Sequence, residues 1–306
     1  MNPSLEQELL ALESPHRFEH RVFRRRPWFA FGAFVLVLVL AGAALPIVLM
    51  GGWPGLISGA SIYLGFLLWV IIRLRRVPAL THRSLDASVL LFSDRAGEAV
   101  AAFDRLALEA RDLPRIQAVF VLNRGIAATR TGNAFYARLL FAEALRSGWL
   151  TANASTATVY TPLLASSVAL SYAVDNDLDQ AQRWLTALDG PAGQRALTPL
   201  LMLLPTVLVY LKRNEPARAL NELDEYWLRL DGALPGTTLR ELQVLRAWAE
   251  QLEGNDHASR RLLDGVRVRR EQLEWLTRTW PEFERFVADV CDGFPFADRS
   301  QDRVQP

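Results

Sequence analysis

The sequence predicts an all-α protein: a transmembrane helical hairpin over 28–73, then a helical domain over 74–268. Three observations predict it. Residues 27–72 hold no charged side chain, in a chain that is 22% charged. The residues beyond that gap form apolar stripes at helical spacing, interrupted by Gly, Pro and Asn. No stretch sustains the period-two alternation of a half-buried strand.

The juxtamembrane segment, 1–27, opens with Ser4-Leu5-Glu6-Gln7, the pattern of a capping box, which predicts a short helix to about Glu13. Arg17, Arg21, Arg24, Arg25 and Arg26 follow. His16 and His20 stand four apart among them, a metal-ligand spacing, but arginines beside a bilayer repel a cation, and a basic helix is the simpler assignment.

Two apolar stretches come next, 28–50 and 53–72, joined at Gly51-Gly52-Trp53-Pro54-Gly55. Each reaches the ~20 residues needed to cross ~30 Å of hydrocarbon. Trp28 and Trp53 bracket the first span as interfacial aromatics do. Arg73, Arg75, Arg76 and Arg83 follow the second span, and the connecting turn is uncharged. Arginine is retained on the cytoplasmic side, which predicts a two-pass anchor with both termini cytoplasmic. A cleaved signal peptide is the alternative; its apolar core would be ~7–15 residues, shorter than this one. Gly55, Gly59, Ser61 and Gly65 form a small-residue ladder for close helix packing in lipid, of one span on the other or of two copies.

Composition excludes several functions. Net charge is +1 and no basic stripe appears, which argues against nucleic acid. Cys291 is the only cysteine, in keeping with a reducing compartment. Of 34 basic residues one is lysine, Lys212, and it lacks the preceding glycine of a phosphate-binding loop. No dinucleotide glycine motif or zinc cluster occurs. No cofactor, metal or catalytic residue is expected. The arginine bias, with much Ala and Leu, points to a GC-rich bacterial genome, and so to a bacterial inner membrane.

In the helical domain the clearest unit reads Gly125, Gly132, Ala137, Phe141, Ala144 and Leu145. Looser units follow Asp94 (Ala99, Phe103), Asn176 (Ala181, Leu185), Asn214 (Ala219, Leu223) and Gly254 (Ala258, Leu262). Further stripes are Val100-Phe103-Leu106-Leu108, Trp184-Leu185-Leu188 and Leu220-Leu223-Trp227-Leu230. This pattern resembles the tetratricopeptide repeat, with small residues where helices cross and an aromatic between neighbouring hairpins. The turn positions lie 38–44 residues apart, against about 34 in that family, which implies longer helices or loops. The resemblance implies a right-handed α-α superhelix. Leu197–Leu211, apolar but carrying Pro199 and Pro205, is expected to be a buried core helix rather than a third span.

The resemblance also implies a concave groove lined by the first helix of each unit. Its residues would be Val119, Leu122, Ile126, Leu163, Ser166, Leu170, Leu201, Leu204, Leu208, Leu211, Val244 and Trp248. Such an apolar lining suits a partner's apolar or amphipathic helix; the alternative is a narrow groove whose aliphatic lining is simply core. The expected function is a membrane-anchored cytoplasmic scaffold. A structural subunit of a larger membrane complex, or an enzyme with an unrecognised site, are the alternatives. Residues 269–292 are expected to cap the array as a helix pair broken at Pro281, the alternative being that Trp275, Trp280, Phe283 and Phe286 form a binding motif for a partner; 293–306 are expected to form a tail.

Overall fold

A computed structural model describes residues 3–12, 52–93, 95–187, 198–230, 236–264, 266 and 270–292. The first expected span (28–50), His16, His20, Asp94, Gly190-Pro191 and the tail lie outside them. The fold is all-α, with no strand among the described residues. The chain forms two compact units: His16–Leu85, and Met1–Pro15 together with Asp86–Pro306.

Helix α1 (Pro3–Leu10) starts before Ser4 and stops short of Glu13. Pro3 takes the first position, where its missing N–H leaves nothing unpaired, so the expected Ser4 cap sits inside the helix. Leu5 and Leu9, one turn apart, are 2% and 1% exposed.

Helix α2 (Gly52–Phe92) is 41 residues long, about 60 Å at 1.5 Å per residue. It contains the whole second expected span. Residues 52–55, expected in the turn, form its first helical turn instead, where Pro54 is tolerated. Ile57, Leu64 and Leu68 are 64%, 64% and 58% exposed.

Beyond α2, the helices are α3 (Ala96–Glu109), α4 (Pro114–Arg130), α5 (Ala134–Arg146), α6 (Ala154–Val174), α7 (Leu178–Thr186), α8 (Thr198–Lys212), α9 (Pro216–Leu230), α10 (Gly236–Leu252), α11 (Asp256–Asp264), α12 (Arg270–Thr277) and α13 (Pro281–Asp292). One link joins α4 to α5, α6 to α7, α8 to α9 and α10 to α11. Its middle residue is left-handed: Gly132 at φ 74°, Asn176 at 67°, Asn214 at 58° and Gly254 at 80°. The next N–H turns back to a carbonyl five residues earlier: Asn133 to Ala128, Asp177 to Tyr172, Glu215 to Tyr210 and Asn255 to Glu250. Glycine and asparagine tolerate that conformation, and the bonds satisfy carbonyls the helix end leaves open. The residue after the left-handed one then starts the next helix; Asn133 and Asp177 accept from the N–H of Tyr136 and Gln180. Arg95 closes on Leu90 in the same way at the start of α3.

Three residues past each first helical residue comes a small side chain at the crossing: Ala99, Ala137, Ala181 and Ala219 are all 0% exposed, and Ser259 is 3% exposed. Ser259 and Leu263 therefore hold the places assigned to Ala258 and Leu262; the last unit is shifted by one residue. Leu108 is likewise displaced from its stripe: it is 53% exposed, and Ala107 and Ala110 are buried in its place. Phe141, 0% exposed, lies on Gly125, where an added Cβ would stand 2.5 Å from its ring. The aromatic thus fills the crossing within its own hairpin, where a gap between hairpins was expected.

First helices pack on first helices, α4 on α6, α6 on α8 and α8 on α10. Every junction between one pair and the next carries an Arg–Asp bridge: Arg124–Asp104 at 2.7 Å, Arg138–Asp175 at 2.6 Å, Arg213–Asp179 at 2.7 Å and Arg246–Asp224 at 2.5 Å. Arg138 also lies over the Tyr172 ring, and Arg246 over Trp227.

One described helix, α6, is long and apolar enough to cross a membrane by length and composition, at 21 residues and mean hydropathy 1.3. Its surroundings explain the apolarity: more than half of that stretch is buried between α4 and α8. In α8, Leu203, Leu204, Val207, Leu208, Val209 and Leu211 are buried, as a core helix requires.

Candidate interaction site

The site lies at the C-terminal ends of the first helices, where α12 and α13 pass across them. Taken along the chain, its contacts move from pair to pair. Trp275 lies 5.1 Å from the Arg130 guanidinium at the end of α4. Arg278 donates to the Gly132 carbonyl at 3.2 Å. Thr279 donates to the carbonyl of Val174, the last residue of α6. Trp280 lies under Lys212, the last residue of α8, at 5.7 Å. Trp248 of α10 meets Trp280, Phe283 and Phe286 at centroid distances of 6.4, 6.1 and 5.0 Å. The chain breaks at Pro281 as expected, with α12 ending at Thr277 and α13 starting there. The segment reaches four pairs, where packing on the terminal pair alone was expected.

Its aromatic face is dry. Trp275, Trp280, Phe283, Phe286 and Val287 are at most 7% exposed. Trp280, just before α13, and Phe283, Phe286 and Val287 on it share one side by their spacing. Glu284 faces out and pairs with Arg270 at 3.0 Å.

Two cations anchor the site. Arg130 forks onto Glu241 at 2.5 and 2.9 Å and reaches Thr238 at 3.1 Å, with both charged side chains under 10% exposed. The pair ties α4 to α10, and Phe92, at the end of α2, lies 6.0 Å from the same guanidinium. The fork geometry satisfies both carboxylate oxygens, which a buried charge pair needs. The Lys212 ammonium donates to Ala173 (2.8 Å) and Val174 (3.3 Å) carbonyls and to the Thr279 hydroxyl (3.0 Å). A cation is favoured at the negative end of α6. Burial nonetheless pushes the lysine pKa down to about 8, with Asp175 opposing. Sequence alone offered only one signal for this residue, its being the sole lysine.

Two donors are left over. Among the described residues, the indole N–H groups of Trp248 and Trp275 meet no acceptor, although both atoms are buried.

The expected groove residues divide. Leu122, Ser166, Leu204, Leu208, Leu211, Val244 and Trp248 are buried, at 8% exposed or less. Val119, Ile126, Leu163, Leu170 and Leu201 are half-buried. They lie on first helices that pack on one another, and the Trp248 ring meets the C-terminal segment. In the ladder, Ser61 and Gly65 are exposed, and a Cβ added at Gly65 would meet no atom within 4 Å; the side-chain surroundings of Gly55 and Gly59 are not described.

Elsewhere, an open cleft of about 620 Å³ lies between α11 and α13, edged by Asp256, Asp264, Asp289 and Arg260. No group of three or more His, Cys, Asp or Glu among the described residues could hold a metal ion. No protein-family model, curated protein or solved structure matches the chain.

Proposed function

We propose that this protein is a two-pass membrane-anchored adaptor that presents a tetratricopeptide-like array of helix pairs to a partner protein on the cytoplasmic face of a bacterial inner membrane. The carrying observation is the four-fold recurrence of one hairpin link and one buried small residue, with first helices packed in a row. Such rows build extended surfaces that bind chains rather than small molecules.

The anchor rests on the uncharged residues 27–72 and on the exposed apolar side chains of α2. Its even number of crossings draws support from α1. That helix precedes the apolar stretch, yet belongs to the same compact unit as Asp86–Pro306. It packs on α5. Arg183 forks onto Glu8 at 3.1 and 2.7 Å, and Arg146 donates to the Leu10 and Leu12 carbonyls. A chain that docks both flanks of a membrane segment together has returned to the side it left.

Purification of the tagged full chain in mild detergent tests the adaptor function. A protein that co-purifies, and is lost when the edge formed by Gly132, Val174, Lys212 and Trp248 is altered, is the expected result. Recovery of the chain alone, from membranes crosslinked before extraction, would reject the adaptor role.

A further inference from the structure

We propose that the edge of the array is a helix-binding site whose resident occupant is the chain's own segment 270–292, and that an external partner helix enters by replacing it. The partner is an amphipathic helix with aromatic residues spaced i, i+3, i+6, and it carries hydrogen-bond acceptors on its aromatic flank. This rests on the adaptor reading above and specifies its partner.

Four observations support it. The segment meets the C-terminal ends of successive helices at spaced points: its contacts fall at Gly132, Val174, Lys212 and Trp248, one for each pair. A surface that takes one helix by regularly spaced points can take another with the same spacing. The polar points of contact are mostly generic. Arg278 and Thr279 donate to backbone carbonyls, which any chain with similar donors could use. The aromatic points are specific: Trp248 meets Trp280, just before α13, and Phe283 and Phe286 on α13.

The fourth observation sets the direction of exchange. The Trp248 and Trp275 indole N–H groups, one on each side of the contact, have no acceptor among the described residues. Buried donors left unpaired weaken an interface relative to one that pairs them. The resident segment is therefore an imperfect ligand for this site. A helix that places a carboxylate or carbonyl beside Trp248 would bind it better.

The test keeps the full chain. A protease site is inserted within 265–269, between α11 and α12, and the detergent-solubilised protein is cut there, so the segment stays bound without a covalent link. The probe is a fluorescently labelled synthetic peptide of residues 270–292. Exchange into the cut protein, seen as a saturable rise in anisotropy, is expected, with at least tenfold weaker uptake by the uncut chain. A peptide with Trp280, Phe283 and Phe286 replaced by Ala should fail to enter. In the cut chain, Arg278→Ala with Thr279→Ala should speed release of the resident segment about tenfold while the circular dichroism stays unchanged.

If the labelled peptide never exchanges while the cut protein keeps its helicity, the segment is permanent core and the proposal is wrong. Unfolding of the array as the segment leaves would overturn it equally. Exchange without any co-purifying cellular protein would leave the site standing and reject the adaptor reading. A cellular partner that binds without displacing the peptide would do the reverse.

Discussion

At the residue scale, Gly125 and Phe141 act as one unit. Glycine costs a helix interior roughly 0.5–1 kcal/mol relative to alanine, yet the Phe141 ring occupies the place of its missing Cβ, with Cε1 2.5 Å from where that atom would stand. Neither part of the contact can yield cheaply, being a rigid ring and a helix backbone. Gly125→Ala is expected to lower the melting temperature despite its better helix propensity. Phe141→Ala removes a fully buried ring and should cost about 3–5 kcal/mol. Combining the two should cost less than their sum, because alanine at 125 then occupies space the ring has left. Thermal melts of the three variants followed by circular dichroism decide it; additive losses would mean that the two side chains do not share this space. The sequence exposed this contact because both residues belong to the best-matching unit. It did not say which helices the ring lies between, since periodicity fixes a face and not a neighbour.

Lys212 makes a pH-dependent prediction. Its folded pKa, about 8, lies below its ordinary 10.5 because burial disfavours the charged form. Between those values the unfolded chain holds a proton that the folded chain has released. Stability from this group therefore rises as pH climbs from about 8 to about 10.5, and is flat below that window. Lys212→Met should abolish that increment. Comparing denaturant midpoints of the two proteins at pH 7.5 and 10 measures it; a wild-type advantage that shrinks with rising pH would contradict the sign.

At the element scale, the hairpin links were the most legible feature, and for a definite reason. A left-handed residue narrows the choice to Gly and Asn, so Gly132, Asn176, Asn214 and Gly254 stand out in sequence, and all four have positive φ. The Arg–Asp bridges between successive pairs were not legible, because Asp104 and Arg124, or Arg138 and Asp175, meet only once the helices cross. The last pair was misread by one residue because Ala258 is the more typical crossing residue, although Ser259 occupies the crossing. Asn214→Ala should destabilise by about 1 kcal/mol, because alanine keeps the Cβ but lacks the short polar side chain that lets asparagine hydrogen-bond locally in the left-handed conformation. Asn214→Gly should be neutral or stabilising. Equal effects of the two in thermal melts would show that the backbone at 214 does not set the link.

At the scale of the whole molecule, the path of 270–292 could not be read from sequence. Trp275, Trp280, Phe283 and Phe286 announced an apolar face, but any of several surfaces could have covered it. The Arg130–Glu241 pair was equally hidden, its members standing 111 positions apart. Breaking such a pair from one side, as in Glu241→Ala, should cost about 3–5 kcal/mol by leaving Arg130 buried and unpaired. A loss under 1 kcal/mol in denaturant unfolding would show that the guanidinium has access to water.

The largest-scale prediction concerns topology, and α1 makes it independent of arginine counting. Leu5 and Leu9 are almost fully buried, and α1 packs on α5. Fully burying a leucine is worth about 1.5–3 kcal/mol, so both leucines favour the docked position of α1. In the proposed anchor, docking requires Pro3–Leu10 and Ala134–Arg146 to share one side of the membrane, and hence an even number of crossings between them. Reporters fused before Met1 and after Pro306 should give the same cytoplasmic signal, and one inserted at Gly51 the opposite. Leu5→Asp with Leu9→Asp should release α1, seen as protease sensitivity at the N-terminal end and a lower melting temperature, without changing the reporter pattern. Opposite signals from the two terminal fusions would defeat both the docking of α1 and the two-pass anchor, because no chain with an odd number of crossings can make the Arg183–Glu8 contact.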